Sequence, residues 1–418
     1  MAITYNPRIV TDGLVLCLDP GNVKGYDKYE NLTFYSSEIG RALTYASGGI
    51  VGLNTSATTA PNGLYEASSL DNNGNTGTNY TYGGAGVGLS TNTTYTYSIH
   101  IKQGTKPDFQ ITIDENGFGG KRYYSIFTYS TETVTSGITG GTNDGVVVGS
   151  SVTKYSNGWY RLSLTFRTST TNVNGFVDMI NRFGNTSGSN YVWGRQLERG
   201  IDATDYYPIT GGLKIRGTTL SDLSGGSNNG TLTNIPTYSN ANGGYLIYAS
   251  ANSQYATAIN PGSLSRWTVE TVVRFTASYS NKVAMVVGGQ YNGVSSLNFA
   301  IGTNNAPTNY NIAVGFFDGA WRNTTGIAYA QNTWFHITGT YDGSAIRQFT
   351  NGTQVDSLNY TGTPTSGGEI RINRRWDDIV SSGNLFDSNI AMVRIYNRAL
   401  STTEITQNFN ALRGRYGI

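Results

Sequence analysis

The closing stretch of the chain, residues 389–418, holds both kinds of local pattern that this sequence offers. Ile390-Ala391-Met392-Val393-Arg394-Ile395-Tyr396 is a compact apolar run, with Ala391, Val393 and Ile395 expected on one face and Ile390, Met392 and Tyr396 on the other. Apolar on both sides, it reads as a strand buried on both faces. Next comes Leu400-Ser401-Thr402-Thr403-Glu404-Ile405, which has the spacing of a capping box: Ser401 accepts from the amide of Glu404, Glu404 reaches back, and Leu400 packs on Ile405. Ile405, Phe409 and Leu412 then recur at helical spacing, and Gly414 offers the left-handed residue that ends a helix. One short amphipathic helix is therefore expected at the end of a chain that otherwise reads as strands.

The rest of the sequence supplies turn-formers and β-formers. Its 418 residues include 54 Gly and 30 Tyr, and only 13% are charged. A short arm, residues 1–10, is interrupted by Pro7, and then Gly13-Leu14-Val15-Leu16-Cys17-Leu18 forms a second fully apolar strand ended by Asp19-Pro20-Gly21-Asn22. It is the natural neighbour of the Ile390–Tyr396 run, which would bring the two ends together. In the middle, Tyr95, Tyr97, Ile99 and Ile101 alternate with polar residues, as do Tyr160, Leu162, Leu164 and Phe166. Trp267-Thr268-Val269-Glu270-Thr271-Val272-Val273-Arg274-Phe275 follows, with Trp267, Val269, Thr271, Val273 and Phe275 sharing a face. A meander then turns at Asp342-Gly343 and Asn351-Gly352, the strongest hairpin signals in the chain. Short strands at this spacing predict an all-β chain of two antiparallel β-sandwich or jelly-roll domains, with one C-terminal helix.

Several function classes recede on composition. A net charge of +2 gives no electrostatic case for nucleic acid or an anionic membrane. The single Cys17 sits among apolar residues and reads as a buried, inert thiol. The opening residues lack a secretion signal and no apolar run is long enough to span a membrane, so synthesis in a host cytoplasm is expected.

Residues 209–418 together with 11–22 resemble the laminin-G-like, concanavalin-A-like sandwich. The pieces that carry the likeness are Gly13–Asp19, Asp222-Leu223-Ser224-Gly225, Trp267-Thr268-Val269-Glu270, Trp334-Phe335-His336-Ile337 through Asp342-Gly343, and Val393-Arg394-Ile395-Tyr396-Asn397-Arg398-Ala399-Leu400-Ser401. The last string resembles the closing signature of such domains in structural proteins of tailed bacteriophages, cyanophages included. Residues 30–208 resemble an inserted carbohydrate-binding-module-like jelly roll, opening at Asn31-Leu32-Thr33-Phe34 and closing at Tyr191-Val192-Trp193-Gly194 through Tyr206-Tyr207-Pro208. Two domains are thus expected, 1–29 with 209–418 and 30–208. The resemblance implies a virion-surface protein, capsid-decorating or fibre-forming, with other virion proteins as partners and a host-surface glycan as ligand. Self-association is expected, as a trimer, with the 1–10 arm adding to a neighbour's sheet. The rivals are a soluble lectin without a virion role and a polysaccharide-degrading glycosidase.

No catalytic residue stands out. His100 and His336 lie inside alternating strands without triad partners or zinc spacing. Glycosidases of this sandwich class set paired carboxylates on one strand, whereas Glu270 has no such companion and reads equally as a solvent-facing strand residue. No cofactor is expected; calcium at Asp114-Glu115 or Asp377-Asp378 stays open against solvated turns. For a glycan, the first candidates are Trp376, Asp377, Asp378 and Arg375, since a loop Trp can stack on a sugar while its neighbours bond hydroxyls. Trp321, Tyr123 and Tyr124, with Tyr80 and Tyr82, are weaker candidates, and loop-pinning or subunit contact competes as the role of Trp376.

Overall fold

The computed structural model describes residues 8–33, 43–46, 50–52, 58–71, 79–83, 88–116, 120–171, 173, 177–183, 188–209, 214, 216–280, 282–290, 300–303, 311–364, 368–375 and 382–418. The fold is mostly β, built of antiparallel sheets with one C-terminal helix. The chain forms two compact units, Met1–Lys28 with Gly217–Ile418, and Tyr29–Arg216. The second seam falls beyond the Pro208–Gly212 turn residues. Asn31 and Lys214 exchange backbone hydrogen bonds of 2.8 and 3.0 Å, and Arg216 donates to the Arg199 carbonyl at 2.7 Å, so the chain stays with the inner unit until Arg216.

In the terminal unit two eight-stranded sheets enclose a core that includes Leu16, Trp267, Val269, Phe275, Ile337, Tyr341 and Ile395. Burying each such side chain contributes roughly 1.5–3 kcal/mol. Ser388–Tyr396 is central in the first sheet. It lies between Trp267–Phe275 on one side and, on the other, Tyr245–Tyr248 and Leu14–Leu18. Leu14 pairs with Tyr396 and Leu18 with Val393, so the opening and closing segments share a ladder.

The simple alternation expected for 390–396 does not hold. Its register against Trp267–Phe275 jumps from Met392 opposite Val272 to Ile390 opposite Val273. Ala391 is the extra residue of a bulge, so Ile390 joins Val393 and Ile395 in the core, while Ala391 and Met392 both face the helix.

The helix runs from Thr402 to Tyr416 behind a complete Ser401–Glu404 capping box. It continues through Gly414 and ends at Gly417, whose φ of 69° supplies the left-handed residue. Its buried residues are Ile405, Asn408, Leu412 and Tyr416. Phe409 is only half-buried, stacked on His336 at 6.1 Å. The meander forms at its two predicted turns, with Asn351 and Gly352 at φ of 50° and 79°.

The Tyr29–Arg216 unit also has two sheets, each of six strands. Tyr97, Ile99, Ile101, Phe109, Ile111, Leu162, Leu164 and Phe166 fill the space between them. A buried ion pair crosses that core: Arg195 Nη1 lies 2.6 Å from Asp178 Oδ2, which also accepts from Tyr97 Oη at 2.7 Å. Among the described residues no helix is long and apolar enough to cross a membrane.

Candidate functional site

The expected site residues divide between the two units, with Arg375 and Trp321 in one and Tyr123 and Tyr124 in the other. Trp376, Asp377 and Asp378 lie outside the described residues. Beside them, the Arg375 amide donates to the Asn384 carbonyl at 3.1 Å. Trp321 is half-buried, edge-on to Phe317 at 5.7 Å and packed beside Met285 and Ala300. Tyr123 is a core residue and presents no face to a ligand: it is fully buried, stacked on Phe166 at 4.7 Å, with its phenol donating to Glu115 Oε2 at 2.6 Å. Tyr124, on the opposite face of that strand, lies over Gly137, where an added Cβ would come within 2.5 Å of its phenol oxygen. Tyr80 and Tyr82 belong to the strand Asn79–Gly83.

The Asp114-Glu115 pair is consumed internally. Asp114 Oδ1 accepts from the amides of Asn116 and Gly120 at 3.0 and 3.3 Å, and Oδ2 accepts from Arg122 Nε at 2.9 Å. Glu115 takes Tyr123 and the amide and hydroxyl of Ser169. A calcium ion would have to displace a guanidinium and these donors, so the pair is structural; no metal-holding group occurs among the described residues.

Glu270 is not solvent-facing. It is fully buried beneath the helix, where Asn408 Nδ2 donates to its two oxygens at 3.0 and 3.1 Å. Arg394 Nη1 and His336 Nε2 stand 3.8 and 3.7 Å away. Burial raises the Glu270 carboxyl, with Arg394 and Asn408 opposing. His336 is lowered to about 3, by burial first and then by Arg394. The same patch clamps the start of the chain: the Val10 amide donates to Asn408 Oδ1 at 2.8 Å, and Tyr396 Oη to the Val10 carbonyl at 3.1 Å. Val10 is therefore held by its own chain's helix and last strand; residues 1–7, the rest of the arm expected to add to a neighbour's sheet, lie outside the described residues. Cys17 is buried, and burial pushes its thiol up.

An open polar concavity lies on the outer face of a sheet in the Tyr29–Arg216 unit. Strand alternation sends Tyr95, Tyr97, Ile99 and Ile101 inward, so Thr96, Ser98 and His100 face out. Cross-strand register then builds polar rows. Thr153 stands opposite Arg161, Arg161 opposite His100, and His100 opposite Trp193. Ser151, Ser163, Ser98 and Gln196 form the next row, and Thr165, Thr96 and Glu198 the third.

Residues 200–206 fold over part of this face and are bonded to it. Thr96 Oγ1 donates to the Gly200 carbonyl at 2.9 Å, and Arg161 Nη1 to that of Thr204 at 2.6 Å. Glu198 accepts from the Thr204 amide and hydroxyl at 2.9 and 2.6 Å. Burial raises the Glu198 carboxyl against these hydrogen bonds.

Between the rows and this wall is a concavity of about 340 Å³, at the lower end of the range of small-ligand sites. Hydroxyls of Thr96, Ser151, Thr153, Ser163 and Thr165 line its floor with Arg161; Ile201, Asp202, Ala203 and Asp205 form its wall. At one end Tyr155, 39% exposed, rests edge-on against His100 at 5.3 Å. His100 is backed by Trp193 and Tyr206 at 5.0 and 5.7 Å. It is held neutral, lowered to about 3 by burial and then Arg161. Its Nδ1–H donates to the Gly194 carbonyl at 3.2 Å. The groove thus combines a dense hydroxyl surface, both signs of charge and an accessible aromatic ring. These are the groups that bond sugar hydroxyls and pack on sugar rings.

Sequence reasoning looked for a ligand in loops and passed over this face. The signal was present in the polar partners of an alternation already recognised, Arg161, Ser163 and Thr165 between Tyr160, Leu162, Leu164 and Phe166. What the sequence did not carry was the 200–206 wall that turns a flat face into a groove.

Residues 237–406 match the family described as the concanavalin A-like lectin/glucanases superfamily, so a domain of that class occupies this part of the chain. Among solved structures, the chain is similar to domain 4 of AbnA, a GH43 extracellular arabinanase from Geobacillus stearothermophilus, in complex with arabinotriose. The identity is 17%, over 45% of this chain and 91% of that one, with a TM-score of 0.37. It is similar as well to the binding domain of Paraclostridial Mosquitocidal Protein 1, at 17% identity over 47% of this chain and 50% of that one, TM-score 0.38. A structure of botulinum neurotoxin type C, whose cell entry depends on interaction with two ganglioside molecules, matches at 15% identity over 46% and 49% of the two chains, TM-score 0.37. The chain spans about half the length of these two toxin chains. No curated protein matches it.

Proposed function

We propose that this protein is a non-enzymatic glycan-binding protein, and that the groove on the outer face of the Tyr29–Arg216 unit is its binding site. The observation that carries this is the set of polar cross-strand rows, closed on one side by residues 200–206 and ended by Tyr155. The concanavalin-like class includes both lectins and glucanases, and the placement of Glu270 favours the lectin side. A carboxyl sealed under a helix and bonded to Asn408 has no route to a glycosidic oxygen. A glycan array probed with the full chain tests the reading. Tyr155→Ala is expected to weaken the best ligand about tenfold, ~1.4 kcal/mol. Equal binding by the variant removes this site, and release of reducing ends from a host glycan overturns the non-enzymatic assignment.

The finer reading follows the resemblance of Val393–Ser401 to phage structural proteins. In it the chain is a virion-surface component, capsid-decorating or fibre-forming, made in the host cytoplasm, self-associated as a trimer with other virion proteins as partners, and carrying residues 30–208 as a carbohydrate-binding-module-like insert. Mass spectrometry of purified particles decides the location: absence of the chain leaves a soluble lectin. Light scattering decides the trimer.

A further inference from the structure

The floor of the groove holds a positive charge for which no counter-ion occurs among the described residues. Arg161 is 6% exposed. Its Nε and Nη2 donate to Ser98 Oγ at 3.3 and 2.9 Å, and its Nη1 donates to the Thr204 carbonyl at 2.6 Å. All three bonds end on uncharged oxygen. The other buried guanidiniums of this unit are treated differently, Arg195 facing Asp178 at 2.6 Å and Arg216 facing Glu30 at 3.7 Å. Among the described residues no ion pair engages Arg161, and its three bonds use three of the five N–H groups of a guanidinium. Taking a cation out of water costs several kcal/mol unless an anion compensates.

The acidic residues of the groove do not supply that anion. Asp202 is half-exposed and Asp205 exposed on the wall, where water and salt screen them. Arg161 lies on the floor, where the lower effective dielectric strengthens an approaching negative charge's attraction. One N–H on each of Nη1 and Nη2 remains for an acceptor, and a carboxylate has oxygens enough to take both.

Resting on the reading of this groove as a glycan site, we infer that its ligand is an acidic glycan of the uronic acid class, whose carboxylate seats on Arg161 while Tyr155 packs against the sugar ring. The floor hydroxyls then bond the remaining hydroxyls of that residue.

Isothermal titration of the full chain with an oligogalacturonate, with its methyl ester and with a neutral galactose oligomer tests this directly. The acid is expected to bind at least tenfold tighter than the ester, and more weakly as salt rises. Arg161→Gln should abolish the preference for acid over ester, while Arg161→Lys, which keeps charge but loses the fork, should retain part of it. If the Gln variant does not fold, the acid-to-ester ratio of the native chain decides alone. Equal binding of acid and ester overturns the inference and leaves the glycan reading standing. Failure of all three ligands, with a neutral or sulfated glycan binding on an array and Tyr155→Ala abolishing it, again overturns the uronate assignment only. Failure of every glycan overturns both.

Discussion

The sheet face that carries Arg394 in the terminal unit and the one that carries Arg161 in the inner unit each hold a buried cation, and they are finished differently. In the terminal unit Glu270, His336 and Arg394 lie on the outer face of a sheet that the Thr402–Tyr416 helix covers. There the cation has an anion, and Asn408 on the helix bonds that anion. In the inner unit Arg161 and His100 occupy a comparable outer face, covered only in part by residues 200–206, and no anion pairs with the cation among the described residues. A face that is structural is closed with matched charge. One that is left open and unmatched points to a ligand as the missing half.

The comparison is broken most directly by removing each cation. Arg394→Met leaves Glu270 buried without its partner, or forces a proton onto it, and is expected to cost about 3–5 kcal/mol. Arg161→Met removes a charge that no ion pair among the described residues neutralises. It loses three hydrogen bonds to neutral acceptors but also a desolvation penalty, so the net change is expected within about 1 kcal/mol. Urea unfolding of the full-length variants measures both, and equal costs would mean that Arg161 is structural too.

Acid tests the same contrast. His100 and His336 each have a folded pKa of about 3, below the ordinary 6.5 of an unfolded histidine. The sign follows: the unfolded chain takes up protons first, so the stability each neutral ring contributes is complete above about pH 6.5 and is lost as pH falls toward 3. The slope is at most about 1.4 kcal/mol per pH unit for each ring, roughly 2 kcal/mol by pH 5. Around His100 the facing groups among the described residues are Arg161 and the rings of Trp193, Tyr155 and Tyr206, whereas His336 has Glu270 at 3.7 Å. With both rings lowered to about 3, stability measured from pH 7 to 5 should flatten equally in His100→Gln and His336→Gln. A smaller effect in His336→Gln would show that Glu270 holds its neighbour nearer the unfolded value.

The difference between the two faces also marks where sequence reading succeeds. The ladder joining Leu14–Leu18 to the last strand was legible because two all-apolar runs can be buried only inside a sheet, and the capping box was legible because Ser401 and Glu404 act over one turn. What failed was whatever depends on distant residues. The bulge at Ala391 arises in the register with Val272 and Val273, and Asn408 takes a buried helix position because Glu270, far away in the chain, needs its amide. Tyr123 looked like a surface aromatic because its alternation with Tyr124 does not say which of the pair faces the core. The groove was half legible, in the polar positions of its strands, while its wall needed the fold.

The smallest test asks whether the helix or the charge beneath it holds the closed face. Ser401 Oγ accepts the Glu404 amide at 3.3 Å, and Glu404 returns to the Ser401 amide at 2.8 Å while pairing with Arg398 at 2.6 Å. The Arg398 hydrogen bond, with Ser401, holds the Glu404 carboxyl down at about 2. Ser401→Ala should cost about 1 kcal/mol, since it frays only the first turn. Asn408, two turns along, remains on Glu270 in that variant, so the thermal midpoint should move by a few degrees at most. If Ser401→Ala proved as damaging as Arg394→Met, the cover would be limiting and the matched charges incidental, and the open face of the inner unit would then be read as a face that lacks a helix rather than one that awaits an anion.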